Sequence, residues 1–297
     1  MWVCQRHGDC ECSTYLPIRA SYDQQRCAVF GGRLEHSPLK VALIGDVHAN
    51  LPALEAVLHV VEEEDCGMVL DTGDVVGYGP FPNEVLQRSR ESRCFGVRGN
   101  YDRWISRFGE THRIGLHESA KADRLRERNP VKHASLRWTF ETLTELNMAY
   151  ITGLPKRREI EIDGALVVLL HGSIVSGNEG LRSTTPAARL RRLATLSPAT
   201  VFVSGHSHDP FIRTANGKCF INPGSVGRPG DGDYRPSFAI AEITADGVSG
   251  DIRRVDYDID AVLKQIRAQG LPPRIAEMFR LALHPSLLPS DFFLHVS

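Results

Sequence analysis

The chain has 297 residues, of which 42% are hydrophobic, enough for one large core or for one core plus small appendages, and one main domain is the default expectation. Its 35 Lys and Arg against 36 Asp and Glu leave almost no net charge, which excludes the global basic field that favours general nucleic-acid or membrane-surface binding. No apolar run reaches the roughly 20 residues that cross a bilayer, and the N-terminus lacks the basic, apolar and small-residue order of a secretory signal.

The seven cysteines are odd in number and irregularly spaced, and Cys66, Cys94 and Cys219 sit in apolar runs where a reduced thiol packs as a small hydrophobe. A reducing, cytoplasmic setting is the expectation. Residues 1–39 show no sustained apolar periodicity and read as a weakly ordered extension. Cys4, His7, Cys10 and Cys12 lie within it, but their spacing lacks the paired Cys-x-x-Cys knuckles of structural zinc sites.

From residue 40 onward the texture changes. Val41–Ile44 is a short, continuous apolar run ended by Gly45, as expected of a strand buried on both faces. A helix is predicted next, with Asn50 as N-cap, Pro52 in the first turn, and Leu54, Val57, Leu58 and Val61 on one face. Met68–Leu70 reads as a second strand, Pro82–Ser89 as a short helix and Phe95–Val97 as a third strand, an alternation typical of a parallel α/β sheet. Function is then expected at the C-terminal ends of the strands.

Residues 103–155 are charged, with Leu136, Phe140, Leu143 and Leu146 near helical spacing, and read as a helical insertion over or beside the sheet. Beyond it, Asp163-Gly164, Asn216-Gly217 and Asp246-Gly247 each separate β-prone runs, predicting hairpins in a second sheet. Two C-terminal helices are predicted across about 260–284, over Asp260–Gln269 and Pro273–Leu283, with Gly270 and Pro285 as their stops.

Five apolar runs deliver polar residues in a fixed order. Gly45-Asp46-Val47-His48 follows the first strand, Gly73-Asp74 the second, and Arg98-Gly99-Asn100-Tyr101-Asp102 the third. His171 ends the run from Leu166, and Ser204-Gly205-His206-Ser207-His208 follows Val201–Val203. Any one fragment would be an ordinary loop feature. Five buried strands each ending in Asp, Asn or His make sense when a cation removes the repulsion and desolvation of the converging groups.

This order resembles the signature of the calcineurin-like metallophosphoesterase superfamily, and the likeness spans roughly Val41 to Val255. Asp74-Val-Val-Gly-Tyr-Gly-Pro80 and Asn222-Pro-Gly-Ser-Val-Gly227 further resemble a prokaryotic branch of phosphatases and phosphodiesterases related to diadenosine tetraphosphatases. The resemblance implies an α/β sandwich of two mixed β-sheets flanked by α-helices. It implies two divalent metal ions, one on Asp46, His48 and His208 and the other on Asn100, His171 and His206, with Asp74 bridging. Oxygen and imidazole donors without thiolate suit Mn²⁺ foremost, with Fe, Zn²⁺ or Ni²⁺ as alternatives. The implied reaction is in-line attack on a phosphate ester by hydroxide bridging the two metals.

Tyr101 stands where the superfamily usually has a histidine that assists the leaving group. An unperturbed phenol, with a pKa of about 10, is a poorer proton donor at neutral pH than imidazolium. Diesters or activated esters are therefore expected over simple monoesters, with nucleotides among the candidates. Arg98 and Arg103 are candidate phosphate clamps, Asp102 a candidate for orienting Tyr101 or an outer metal-ligand partner, or for pairing with Arg103, and Asn222 a support for His208. The alternatives are a phosphomonoesterase or protein phosphatase using the same residues, and a non-catalytic metal-binding scaffold. Nucleic-acid binding is not expected, because the arginine runs at 124–128 and 189–192 lack interleaved aromatics.

Overall fold

The computed structural model describes residues 18–19, 38–113, 126–283 and 287–288. Cys4, His7, Cys10, Cys12 and Pro285 lie outside them. Among the described residues, eleven strands form two sheets. The smaller comprises β2 (Lys40–Ile44), β3 (Met68–Asp71), β4 (Phe95–Gly96), β10 (Ser237–Thr244) and β11 (Gly247–Arg254), in the order β11-β10-β2-β3-β4. Its β2, β3 and β4 run parallel, while β10 is antiparallel to both β2 and β11.

The larger sheet comprises β1 (Ile18–Arg19), β5 (Arg157–Ile162), β6 (Ala165–Leu170), β7 (Val201–Val203), β8 (Phe211–Ala215) and β9 (Lys218–Asn222), in the order β1-β5-β6-β7-β9-β8. It too is mixed: β6, β7 and β9 are parallel, and the hairpin pairs β5/β6 and β8/β9 are antiparallel. Within the segment read as an extension, Ile18 and Arg19 pair in parallel with Ile160 and Glu161.

The period-2 geometry of a strand explains why β2 is apolar throughout. Val41 and Leu43 face the other sheet, sharing a core with Val167, Leu169, Val201 and Val203. Ala42 and Ile44 face the opposite way, into a helical layer. That layer is built by α1 (Leu51–Glu63), α2 (Pro82–Glu91), α3 (Asn100–Arg113), α4 (Pro130–Thr142), α5 (Glu145–Gly153), α7 (Ile259–Ala268) and α8 (Pro273–Leu281). The outer face of the larger sheet is covered by α6 (Ala187–Ala194), whose Leu190 and Leu193 pack on Val168, Phe202 and Phe220. The fold is thus two mixed sheets face to face with helices on both outer surfaces.

Local chemistry sets the boundaries. Asn50 caps α1 by accepting from Ala53 N–H at 3.2 Å. Asp163-Gly164 and Asn216-Gly217 take positive φ in the β5/β6 and β8/β9 hairpins, the conformation that a tight turn between twisted strands requires. The segment read as a helical insertion is divided between separate helices. Leu136, Phe140, Leu143 and Leu146 do not share one helix face: the chain breaks at Leu143, and Leu146 is 72% exposed. The reason is Thr144, whose hydroxyl accepts from Asn147 N–H and starts α5 as a separate helix. At the C-terminus α8 stops at Leu281 because Ala282 turns left-handed, two residues before the predicted end.

Candidate metal centre

The polar residues that end the strands meet on one side of the molecule. Asp46 and His48 follow β2, Asp74 follows β3, Asn100 opens α3 after β4, His171 follows β6, and His206 and His208 follow β7. Ligand atoms of Asp46, His48 and His208 all lie within 4.8 Å of one another, as do those of Asp74, His171 and His206. Asn100 joins the second group, its Oδ1 standing 3.0 Å from His171 Nε2. The groups are tied together, since Asp46 Oδ2 accepts the His206 backbone N–H at 2.9 Å.

The backbone is unusual here. Asp46, His48, Asp74, His206 and His208 all have φ between 47° and 68°, a region that non-glycine residues occupy rarely and at a cost. Neighbouring glycines allow the close approach. A Cβ on Gly99 would lie 2.0 Å from Asp74 Oδ1, and one on Gly205 would lie 2.6 Å from Asp46 Oδ2. The loops therefore touch where only glycine fits.

Outer hydrogen bonds aim the imidazoles. His171 Nδ1 is 2.9 Å from the Thr72 carbonyl, and His208 Nδ1 is 2.5 Å from the Arg228 carbonyl. A carbonyl only accepts, so each Nδ1 carries the proton and each Nε2 turns inward. Asn222 Nδ2 donates to the Gly205 carbonyl at 3.0 Å and to Ser207 Oγ at 2.9 Å, bracing the loop that carries both histidines. Ser225 Oγ donates to the Asp46 carbonyl at 2.7 Å.

The electrostatics fit a cation rather than a sealed polar core. Facing nitrogens of His48 and His208 are 3.3 Å apart, and those of His206 and His171 are 3.2 Å apart. Burial holds the His48 imidazole far below its ordinary pKa, and burial together with the neighbouring His171 charge lowers His206 to about 4. Burial works to lower His171 as well, but the adjacent Asp74 carboxylate overrides it and raises the ring to about 10. Burial opposes ionisation of Asp46 and Asp74, yet the histidine charges beside them keep both carboxyls below the usual range. Asp46 Oδ1 is buried without a hydrogen-bond partner. Buried lone pairs left in this state are what divalent metal ions satisfy.

A family model described as the calcineurin-like phosphoesterase superfamily domain matches residues 39–246. The chain belongs to the calcineurin-like phosphoesterase superfamily. A metallophosphoesterase from Sphaerobacter thermophilus is similar in structure, with a TM-score of 0.65, 29% identity, and coverage of 83% of this chain and 100% of that one. An uncharacterized protein of Methanocaldococcus jannaschii is 29% identical over 80% of this chain and 96% of its own. A hypothetical protein from Pyrococcus horikoshii shares the fold, with a TM-score of 0.72 at 21% identity, over 82% of this chain and 98% of that one. This metallophosphoesterase is accordingly a metal-dependent hydrolase acting on phosphoric ester bonds, and a phosphate ester is its class of substrate. Among the described residues, no helix is long and apolar enough to cross a membrane.

The candidates outside the two metal groups are placed differently from one another. Tyr101 is 6% exposed, and its hydroxyl donates to the Tyr78 hydroxyl while its ring stands edge-on to His48 at 5.2 Å. Burial, then the neighbouring Tyr78, lifts the Tyr101 phenol well above its ordinary pKa. Asp102 does not meet the Tyr101 hydroxyl. Its Oδ2 accepts from Asp74 N–H at 2.9 Å and Gly99 N–H at 2.8 Å, and its Oδ1 from Val76 N–H at 3.3 Å. Arg98 points to α5, donating to the Thr152 carbonyl at 2.9 Å, and Arg103 donates to Asn178 Oδ1 at 3.2 Å.

Sequence reasoning missed Tyr78, Lys132 and Arg228. Tyr78 lies inside the quoted phrase after Asp74, and Arg228 directly follows Gly227 of the Asn222 loop, so their positions in the motifs were the available signal. Lys132 had none, because the packing of α4 against α3 brings it in.

Proposed function

We propose that this metallophosphoesterase hydrolyses phosphodiesters or activated phosphate esters using two divalent cations, manganese foremost, held by Asp46, His48 and His208 and by Asp74, Asn100, His171 and His206. The supporting observation is the pair of converging donor groups with buried lone pairs that no protein hydrogen satisfies. Cations bound there would acidify a water to make hydroxide available near neutral pH and would neutralise phosphoryl oxygens. The nucleophilic oxygen then comes from water, one P–O bond forms from it, and the bond to the leaving oxygen breaks with its electron pair.

The protein's own contribution is orientation. The carbonyls of Thr72 and Arg228 fix two imidazoles, and Asp102 fixes the Asp74 loop through three backbone N–H groups. Tyr101 is poorly suited to protonating a leaving alkoxide, because its hydroxyl is committed to Tyr78 and its pKa is raised. Leaving groups that are stable as anions, such as phenolates or phosphates, suit such a site.

The experiment is a panel of bis-aryl, aryl and alkyl phosphates assayed with Mn²⁺, repeated with Asp74→Asn and His206→Ala. Bis-aryl and aryl esters should turn over, and each variant should lose roughly a thousandfold or more in rate, the scale expected when an ensemble of acting groups loses one member. Unchanged activity in both variants would refute the assignment, and faster turnover of alkyl monoesters would defeat the substrate preference.

A further inference from the structure

Arg228 is 5% exposed, yet its Nε and Nη1 are buried without a hydrogen-bond partner. No described carboxylate forms an ion pair with it. Its side chain packs on the face of Tyr78, with the guanidinium carbon 5.0 Å from the ring centroid. That ring stands 5.3 Å from His48, and the Arg228 carbonyl holds His208. The guanidinium therefore borders the first group through the Tyr78 ring, with two buried nitrogens, Nε and Nη1, unused as donors.

Across the paired tyrosines stands a second cation. Lys132 Nζ is 3.8 Å from the Trp104 ring centroid and 4.6 Å from that of Tyr101, and no described carboxylate pairs with it. Tyr78 and Tyr101 have their ring centroids 4.8 Å apart, so the two cations flank one aromatic wall that borders His48. A buried guanidinium without a counter-charge is costly, and a cation–π contact leaves its N–H groups unsatisfied. An anion supplied from solution would satisfy them. The planar fork matches phosphate oxygens better than a point charge does.

We infer that Arg228, supported by Lys132, is a phosphate-binding residue that grips an anionic oxygen of the substrate lying outside the metal ligands. The inference rests on the proposed phosphoesterase function and narrows its substrate class. A singly charged diester has two non-bridging oxygens, both of which a metal pair can occupy, whereas an aryl monoester dianion or a phosphoanhydride carries a further anionic oxygen for Arg228. The site therefore favours phosphoryl groups bearing more than one negative charge.

The test titrates inorganic phosphate into the Mn²⁺-loaded chain by calorimetry, with metal content measured alongside. Arg228→Gln should weaken phosphate binding by roughly 10- to 100-fold, the range for a charge-assisted hydrogen-bonding group, with the metal retained. Arg228→Lys should recover part of that loss, which a space-filling role under Tyr78 would not produce. In turnover, Arg228→Gln should lose more kcat/KM on p-nitrophenyl phosphate than on bis(p-nitrophenyl) phosphate.

Phosphate affinity within twofold of wild type, equal losses on the two esters, or a lysine variant no better than glutamine would overturn the inference. Should Arg228→Gln fail to fold or to hold metal, Lys132→Met decides: phosphate binding weakened severalfold supports the anion site, and unchanged binding overturns it. Absence of turnover of every ester by the loaded wild type would instead sink the proposed function, whatever the phosphate titration shows.

Discussion

Removing the Asp102 carboxylate tests whether this residue positions the metal loops or acts on substrate. Its two oxygens accept three buried backbone N–H groups, from Asp74 and Gly99 on Oδ2 and from Val76 on Oδ1. Asp102→Ala leaves all three unsatisfied at about 1–3 kcal/mol each, and allowing for local relaxation the loss is about 3–6 kcal/mol. Asp102→Asn keeps an acceptor for Asp74 and Gly99 if its oxygen takes the Oδ2 position, and loses only the Val76 bond, about 1–3 kcal/mol. Urea unfolding reads both. With a slope of about 2–3 kcal/mol/M, the alanine midpoint should fall by about 1–3 M and the asparagine midpoint by about a third to a half of that. Metal content supplies the second axis: activity should fall only in proportion to metal lost, since Asp102 acts through Asp74. An alanine variant within about 0.5 kcal/mol of wild type, or an asparagine variant with full metal content and abolished turnover, would refute the positioning role.

Three further outcomes are expected. Gly99→Ala should lose metal binding as thoroughly as Asp74→Asn, because the new Cβ would lie 2.0 Å from Asp74 Oδ1 and 2.2 Å from Asp74 N; normal metal stoichiometry would contradict the packing. Tyr101→Phe should keep kcat within roughly fivefold on aryl esters, since the hydroxyl is already committed to Tyr78; a loss of a hundredfold or more would make that hydroxyl a proton donor. Asp71 is fully buried, and burial first, then the Asp102 charge, raises its carboxyl to about 8 against an ordinary value of 3.8. The native state thus holds a proton that the unfolded chain releases, so this group's contribution to stability is full below about 4 and is lost progressively as pH rises to about 8. Asp71→Asn should flatten that decline, and its advantage over wild type should grow with pH by a few kcal/mol, on the order set by about 1.4 kcal/mol per pKa unit. Parallel stability curves for the two proteins from pH 5 to 9 would exclude the linkage.

Much of the architecture was readable because buried strands and polar strand ends are local signals. Val41–Ile44 and Met68–Leu70 are apolar throughout because both faces of β2 and β3 are covered, and the residues after them are polar because those ends converge. The hairpins at Asn216-Gly217 and Asp163-Gly164 were readable for the same reason, as a positive φ demands particular residues. What escaped depends on contacts between distant segments. Leu143 and Leu146 fit a helical period, but a threonine cap restarts the helix between them. Arg98 sits beside the motif in sequence while its side chain bonds α5, and Arg228 lies 128 positions from Asn100 yet stands beside His48 through Tyr78. Contacts between distant segments, rather than adjacency along the chain, decide where each arginine side chain lies.

The strained backbone gives this centre a thermodynamic meaning beyond its geometry. Asp46, His48, Asp74, His206 and His208 are each left-handed, where a non-glycine residue costs on the order of 1–3 kcal/mol. Their side chains also crowd like groups together, with two pairs of imidazole nitrogens near van der Waals contact and a buried carboxylate oxygen unpartnered. The surrounding sandwich carries these penalties through its two cores and through glycines that permit contact between loops. Cation binding to the folded chain would offset them, since ions that bind the native state and not the unfolded one add to its stability. Fold and chemistry would then be coupled in one direction: the sheets hold donors in a conformation they would otherwise leave, and bound ions would make that conformation the stable one.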